Sequence, residues 1–214
     1  MSASFATSSH LASSFCAPMT LRQWALLPED EPGEWCDGYL EKEEMASFLH
    51  DTIVSWFAGI FQIWLVQQRT RSPQRGGFVA VSTVKYAVSS TRGRMPDLTV
   101  FLPGGRVPPR EGLITIPPDI AVEVVSPTPQ DQKRDRVEKL KEYAQFGINY
   151  YWLVDPYLRS FEVLELGTDG RYVHAVAATE GTVTNLPGCP ELTVALDELW
   201  AEIDRLEPTE ESPQ

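Results

Sequence analysis

A chain of 214 residues, 43% of them hydrophobic, can bury one core and is too short for two comfortable ones. Its formal net charge of −12 argues, on the total alone, against a polyanionic partner. The distribution qualifies that exclusion, because residues 69–141 hold thirteen Lys and Arg against seven Asp and Glu and the acidic excess lies outside them. Such a cluster can steer a phosphate-bearing ligand, or it can be ordinary solvated charge balanced by local acids.

Residues 1–20 carry six serines and lack the basic start and continuous apolar run of a secretory signal. They are expected to be disordered or to reflect an upstream start, with Met19 as the alternative beginning. One domain is expected over 21–206, followed by an unfolded acidic tail, 207–214. Cys16, Cys36 and Cys189 are far apart and form no Cys-x-x-Cys pair, which suggests neither a zinc site nor a disulfide framework and fits a reducing cytoplasm.

A short strand-like lead runs from Gly33 to Leu40, with a turn at Asp37-Gly38. Met45, Phe48, Leu49, Ile53, Trp56, Phe57, Ile60 and Trp64 then recur at helical spacing. The apolar run Thr52 to Val66 is shorter than the roughly 20 residues a bilayer needs and contains Ser55 and Gln62, so a buried core helix is predicted and no membrane span. After a loop at Pro73 and Gly76-Gly77, the alternation from Phe78 to Val88 predicts one long strand. Met95 to Leu102 reads as the next strand, and Pro103 to Pro118 as a loop.

Asp119 to Val125 lacks clean alternation, as a strand covered on both faces does. Thr128-Pro129-Gln130-Asp131 has the form of a helix start. The helix behind it would place Val137, Leu140, Ala144 and Gly147 on one side and Asp135 and Lys139 on the other. A buried strand from Asn149 to Asp155, a hairpin across Gly167 to Gly170 and an amphipathic helix over Leu196 to Leu206 complete the chain.

Glu123 stands inside an apolar strand, where an unpaired charge costs several kcal/mol and needs a partner or a metal. Asp97 precedes the apolar Leu-Thr-Val-Phe101, and if the two strands are neighbours it supplies half of a metal site. Magnesium accepts hard oxygen ligands and retains waters, so two carboxylates suffice, and a lysine beside the bound water, here Lys139, can orient it or stabilise developing charge. The competing readings are structural. Asp97 could cap a turn, Glu123 could pair with Arg94 or Lys85, and Lys139 could pair with Asp135 on the helix surface. Tyr143, Tyr150, Tyr151 and Trp152 read as core aromatics. No Gly-x-Ser-x-Gly elbow and no phosphate-binding Gly-rich loop is present.

The succession Pro96-Asp97, Pro118-Asp119-Ile-Ala-Val-Glu123-Val-Val-Ser126-Pro127, Asp135-Arg-Val-Glu-Lys139-Leu-Lys-Glu-Tyr143 and Gly147-Ile-Asn-Tyr-Tyr-Trp152-Leu-Val-Asp155-Pro156 resembles the Uma-type restriction endonuclease family of the PD-(D/E)XK nuclease superfamily. The resemblance runs from about Trp35 to Tyr172. It implies an α/β (α+β) restriction-endonuclease-like core: a mixed sheet of four or five strands flanked by helices, here with an added C-terminal hairpin and helix. It also implies Asp97 and Glu123 as ligands of Mg2+ (or Mn2+), DNA as substrate, no organic cofactor, and a homodimer. His50, or Glu44, matches the position from which the first core helix brings a further polar group to the metal. Val125 stands where the superfamily has its lysine, and the spacing to Tyr143 matches Lys139 to a lysine moved onto the helix, with Lys141 and Lys133 as competitors. Tyr39 stands where the family often has glutamate.

Three functions are expected from these residues. The first is a metal-dependent DNA endonuclease. The second is an inactive nuclease fold serving as a nucleic-acid-binding or assembly module. The third is hydrolysis of another phosphoester, since fold and ligands do not fix the substrate.

Overall fold

The structure, a computed structural model, describes residues 17–28, 33–41, 47–71 and 76–207. The expectations for residues 1–16, Glu44, Met45, Pro73 and the tail beyond 207 fall outside the described residues. In chain order the elements are α1 (Leu21–Ala25), β1 (Glu34–Cys36), β2 (Tyr39–Glu41), α2 (Phe48–Arg71), β3 (Phe78–Val81), β4 (Tyr86–Ala87), β5 (Arg92–Arg94), β6 (Leu98–Phe101), β7 (Ile120–Val124), α3 (Pro129–Lys133), a π-helical turn (Arg134–Lys139), α4 (Leu140–Phe146), β8 (Tyr150–Asp155), β9 (Ser160–Leu166), β10 (Tyr172–Ala178), β11 (Thr182–Val183), β12 (Val194–Ala195) and α5 (Leu196–Asp204).

The main sheet has the order β10-β9-β8-β7-β6-β3. Only its β7–β8 pair is parallel, and the helical segment between those strands is the crossover that a parallel pair requires. The hairpin β9–β10 continues the sheet from β8, so the sheet has six strands where four or five were expected of the core. Every residue of β7 is buried, as its unbroken apolar run predicts.

Strand alternation sends Ile120, Val122 and Val124 into one layer, with Phe57, Phe61, Trp64 and Leu65 of α2 and Leu199 and Trp200 of α5. The Trp152 ring lies 4.9 Å from Phe61 of α2 and 5.3 Å from Phe161 of β9, joining helix and sheet through aromatic contacts. Among the described residues α2 is the one helix long and apolar enough to cross a membrane, and six of its residues are buried. Phe48, counted in the predicted stripe, is 77% exposed and does not belong to the buried face.

The long strand expected from Phe78 to Val88 is broken. Ser82 takes a positive φ of 39° and donates its backbone N–H to the Asp97 carbonyl, after which the chain leaves the main sheet. Tyr86–Ala87 joins a second sheet, of order β2-β1-β5-β4. That sheet is locked by Trp24 of α1, which is fully buried and donates its indole N–H to the Gly33 carbonyl at 2.8 Å. A Cβ on Gly93 would lie 2.5 Å from the Trp24 ring, so only glycine admits this contact. Residues 19 and 20, grouped by sequence with the disordered segment, are tied to this sheet: the Met19 amide donates to the Gly38 carbonyl, the Met19 carbonyl accepts from Trp35, and Thr20 caps α1.

Candidate active site

The β6–β7 register pairs Leu98 with Val122, so Asp97 and Glu123 stand side by side one step further along the antiparallel ladder. Asp97 does not cap a local turn with its carboxylate: Oδ2 accepts the Val124 backbone N–H across the sheet at 2.7 Å. Its other oxygen lies 3.0 Å from His50 Nε2, and His50 Nδ1 lies 3.3 Å from Asp51. The first turn of α2 thus brings His50 to Asp97.

Glu123 pairs with neither Arg94 nor Lys85. Its Oε2 accepts from Lys139 Nζ at 2.9 Å and its Oε1 from the Tyr143 hydroxyl at 2.6 Å. Lys139 also lies 3.3 Å from Asp135 and 3.5 Å from Glu34. Tyr143, read as a core aromatic, therefore uses its hydroxyl at the site. Lys133 is exposed and paired with Glu138, and Lys141 is exposed, so neither competes for this position.

The phase of this helix differs from the even periodicity expected of it. The turn Arg134–Lys139 is π-helical, which inserts a residue and rotates the remainder of the helix. Asp135 and Lys139 share one face opposite Val137, as expected, but that face is the buried one, at 3% and 2% exposure, while Val137, assigned to the apolar side, is 42% exposed. The helix start agrees with the reading: Thr128 caps α3 through the Asp131 amide, with proline behind it.

Glu34 is a participant that sequence reasoning missed. It is fully buried, accepts from Arg94 Nη1 at 2.5 Å and from the Met95 amide at 3.2 Å, and faces Lys139. Its signal was the one that exposed Glu123, an acid inside a short apolar segment, but the segment was too short to read. Arg94 is held on its other side by Glu142 in a bidentate pair at 2.7 and 3.0 Å. Val125, in the usual lysine position, is buried in the apolar cluster of Tyr86, Ile114 and Tyr143, and Tyr39 is half exposed on β2. Asp97, Glu123, Asp135, Lys139, His50 and Arg134 all line one cavity of ≈ 610 Å³.

A family model described as "Putative restriction endonuclease", Uma2, matches residues 19–197. The chain belongs to the Uma2 family. Its fold is also that of a solved structure titled a "putative nuclease belonging to DUF820" from Anabaena variabilis, with TM-score 0.66 at 21% identity, covering 87% of this chain and 99% of that one. No curated protein matches the chain. The core is thus restriction-endonuclease-like, and the Uma2 match reaches beyond the segment that carried the resemblance in sequence.

The charges of this Uma2 site are unequal in their comfort. Burial pushes Glu123 well above the usual carboxylate range, with Asp97, Asp135 and Glu34 adding to the effect and Lys139 opposing it. Asp97 is held below its ordinary value: burial works against this, but the hydrogen bond and charge of His50 outweigh it. His50 rises to about 9 because the same Asp97 contact overcomes its desolvation. Lys139 also rises, against burial, through Glu123, Glu34 and Asp135.

The donor set fits a small hard cation. Asp97, just before β6, adjoins Glu123 of β7 in one recess, and a divalent charge there would relieve the burial and the neighbouring acids that raise Glu123. Among the described residues no three His, Cys, Asp or Glu side chains are grouped to close around an ion. Asp97 and Glu123 would hold it as a pair, a number that suits magnesium with its retained waters.

Proposed function

We propose that this protein is a divalent-metal-dependent DNA endonuclease that hydrolyses phosphodiester bonds. The observation that carries the reading is the meeting of Asp97 just before β6, Glu123 of β7 and Lys139 of the crossover in one cavity. When bound, magnesium supplies Lewis acidity and a water acidic enough to attack at neutral pH. Asp97 and Glu123 would hold and orient that charge. Lys139, fixed by three carboxylates, presents an ammonium beside Glu123, where it can position the attacking water or offset charge growing on the phosphate. Protonated His50 keeps Asp97 in one rotamer and adds a positive charge at the recess.

Cleavage of a DNA substrate in Mg2+ or Mn2+ tests this. Asp97→Ala should lose about 100-fold or more of the activity, on the scale of removing one electrostatic participant, with an unchanged circular dichroism spectrum. An Asp97→Ala protein that cuts like the parent means the site is misassigned.

A second reading, a nuclease fold that binds without cutting, is favoured by one specific feature. All four oxygens of Asp97 and Glu123 are already engaged, by His50, the Val124 amide, Lys139 and Tyr143. Calorimetric titration of Mn2+ separates the two, since this second reading predicts no saturable heat.

A further inference from the structure

The outer side of α2 carries a second apolar stripe. Residues 52–68 contain no charged side chain, yet the core takes only one side of that length. Phe48, Ile63 and Val66 are 77%, 63% and 50% exposed, and Thr52, Ser55, Gly59 and Thr70 join them on one side of the helix at steps of three and four. A contiguous row of exposed large apolar side chains marks an interaction surface. Among the described residues none stands over its centre, where a Cβ on Gly59 would meet no atom within 4 Å.

The stripe reads the same from either end. Four, seven and eleven positions out from Gly59 it pairs Ser55 with Ile63, Thr52 with Val66, and Thr70 with Phe48, each time one small side chain and one large apolar one. Where two antiparallel copies cross at Gly59 on a two-fold axis, every large side chain therefore faces a small one, and glycine lets the backbones reach the close end of the about 8–10 Å that packed helices keep. The charges match as well. Beside the Phe48 end lies a groove of ≈ 630 Å³ that Asp51 of α2 and Glu198 and Glu202 of α5 make acidic. The other end of α2 is basic, with Arg69 and with Arg71, which pairs with Glu191 and remains exposed. The antiparallel pair brings the basic end of each copy to the acidic groove of the other, whereas an anionic lipid surface would repel that groove. We infer that α2 is the surface through which two copies of this chain associate, crossing at Gly59 with Ile63 and Val66 of each copy seated toward the other's groove. This pairing stands independently of the nuclease reading.

Sedimentation equilibrium of the full chain should return about twice its 24.0 kDa. Ile63→Glu, at an exposed position, should weaken the dimer by about ten-fold or more with an unchanged circular dichroism spectrum. Cross-linking tests the register. On oxidation Gly59→Cys should give a disulfide-linked dimer, because its Cα atoms face each other near the roughly 4.4–6.8 Å that a disulfide spans. Gln67→Cys, eight residues along the helix and so about 24 Å from its own copy, should not. Both are made in Cys16→Ser, and Cys36 and Cys189 are buried. A monomeric parent, including one that cosediments with phosphatidylcholine vesicles, overturns the inference, as does a dimer that a folded Ile63→Glu leaves intact. Should Ile63→Glu fail to fold, the cross-linking decides: Gln67→Cys linking as readily as Gly59→Cys, or neither linking, overturns it.

Discussion

Ile120, Val122 and Val124 of β7 point into a layer built of aliphatic and aromatic side chains, whereas Glu123, their neighbour in the chain, points into one crowded with charge. On the first face α2 and α5 cover the sheet, and burial stabilises the fold roughly in proportion to apolar area. On the second, Glu34, Glu123, Asp135, Lys139 and Arg94 are all nearly inaccessible. Charges so placed contribute little net stability, because their desolvation offsets most of their attraction. The first face thus carries the core that holds the sheet to α2 and α5, and the other combines a smaller apolar cluster with the buried charges of the candidate site.

Phe57→Ala tests this division of labour most severely. Phe57 is fully buried between Trp152 and Phe161, and the variant should lose about 3–5 kcal/mol of stability in urea unfolding. Activity per folded molecule should not change. A loss under about 1 kcal/mol would show that the anchor lies elsewhere.

A smaller effect comes from alkaline pH. Burial raises the Cys189 thiol, on the apolar face, from 9.0 to about 12. A group whose pKa rises on folding contributes its stability fully below the unfolded value and loses it as pH climbs toward the folded one. Stability should therefore fall from pH 9 upward, by about 2 kcal/mol at pH 10.5 from this thiol alone. Urea midpoints at about pH 8 and pH 10.5 check it: Cys189→Ala should lose less than the parent over that interval, and equal losses would remove the thiol from the account. Cys36, near the charged face, is also raised to about 12 by burial, even with Arg94 pulling it down.

The smallest effect concerns the helix phase. Val137→Lys should change stability by no more than about 0.5 kcal/mol, as exposed positions do. An even helical period instead makes this a core substitution, so a loss of about 2 kcal/mol or more would restore that phase.

Much of this was readable in the residues. The both-faced burial of β7, the cap at Thr128 and the return strand β8 all derive from local patterns of polarity and turn chemistry, whereas the adjacency of Asp97 to Glu123 was a condition that the β6–β7 pairing meets. Three features do not. The π-helical turn displaces the helix by about 100° per inserted residue, and no periodicity argument anticipates an insertion that leaves composition unchanged. The break at Ser82 depends on a backbone bond to Asp97, 15 residues away. Glu34 reaches the site because β1 pairs with β5, an encounter across 60 residues between Glu34 and Arg94.

The π-helical turn and α4 lie within the crossover that returns the chain from β7 to β8. Lys139 and Tyr143 therefore reach Glu123 from only 16 and 20 residues along the contour. Closing so short a loop carries a low entropic cost. The ammonium and the phenol are delivered by the same event that zips the parallel ladder, so one half of this centre is a by-product of folding a single supersecondary unit. The other half, His50 and Asp97, must be brought to it from earlier in the chain.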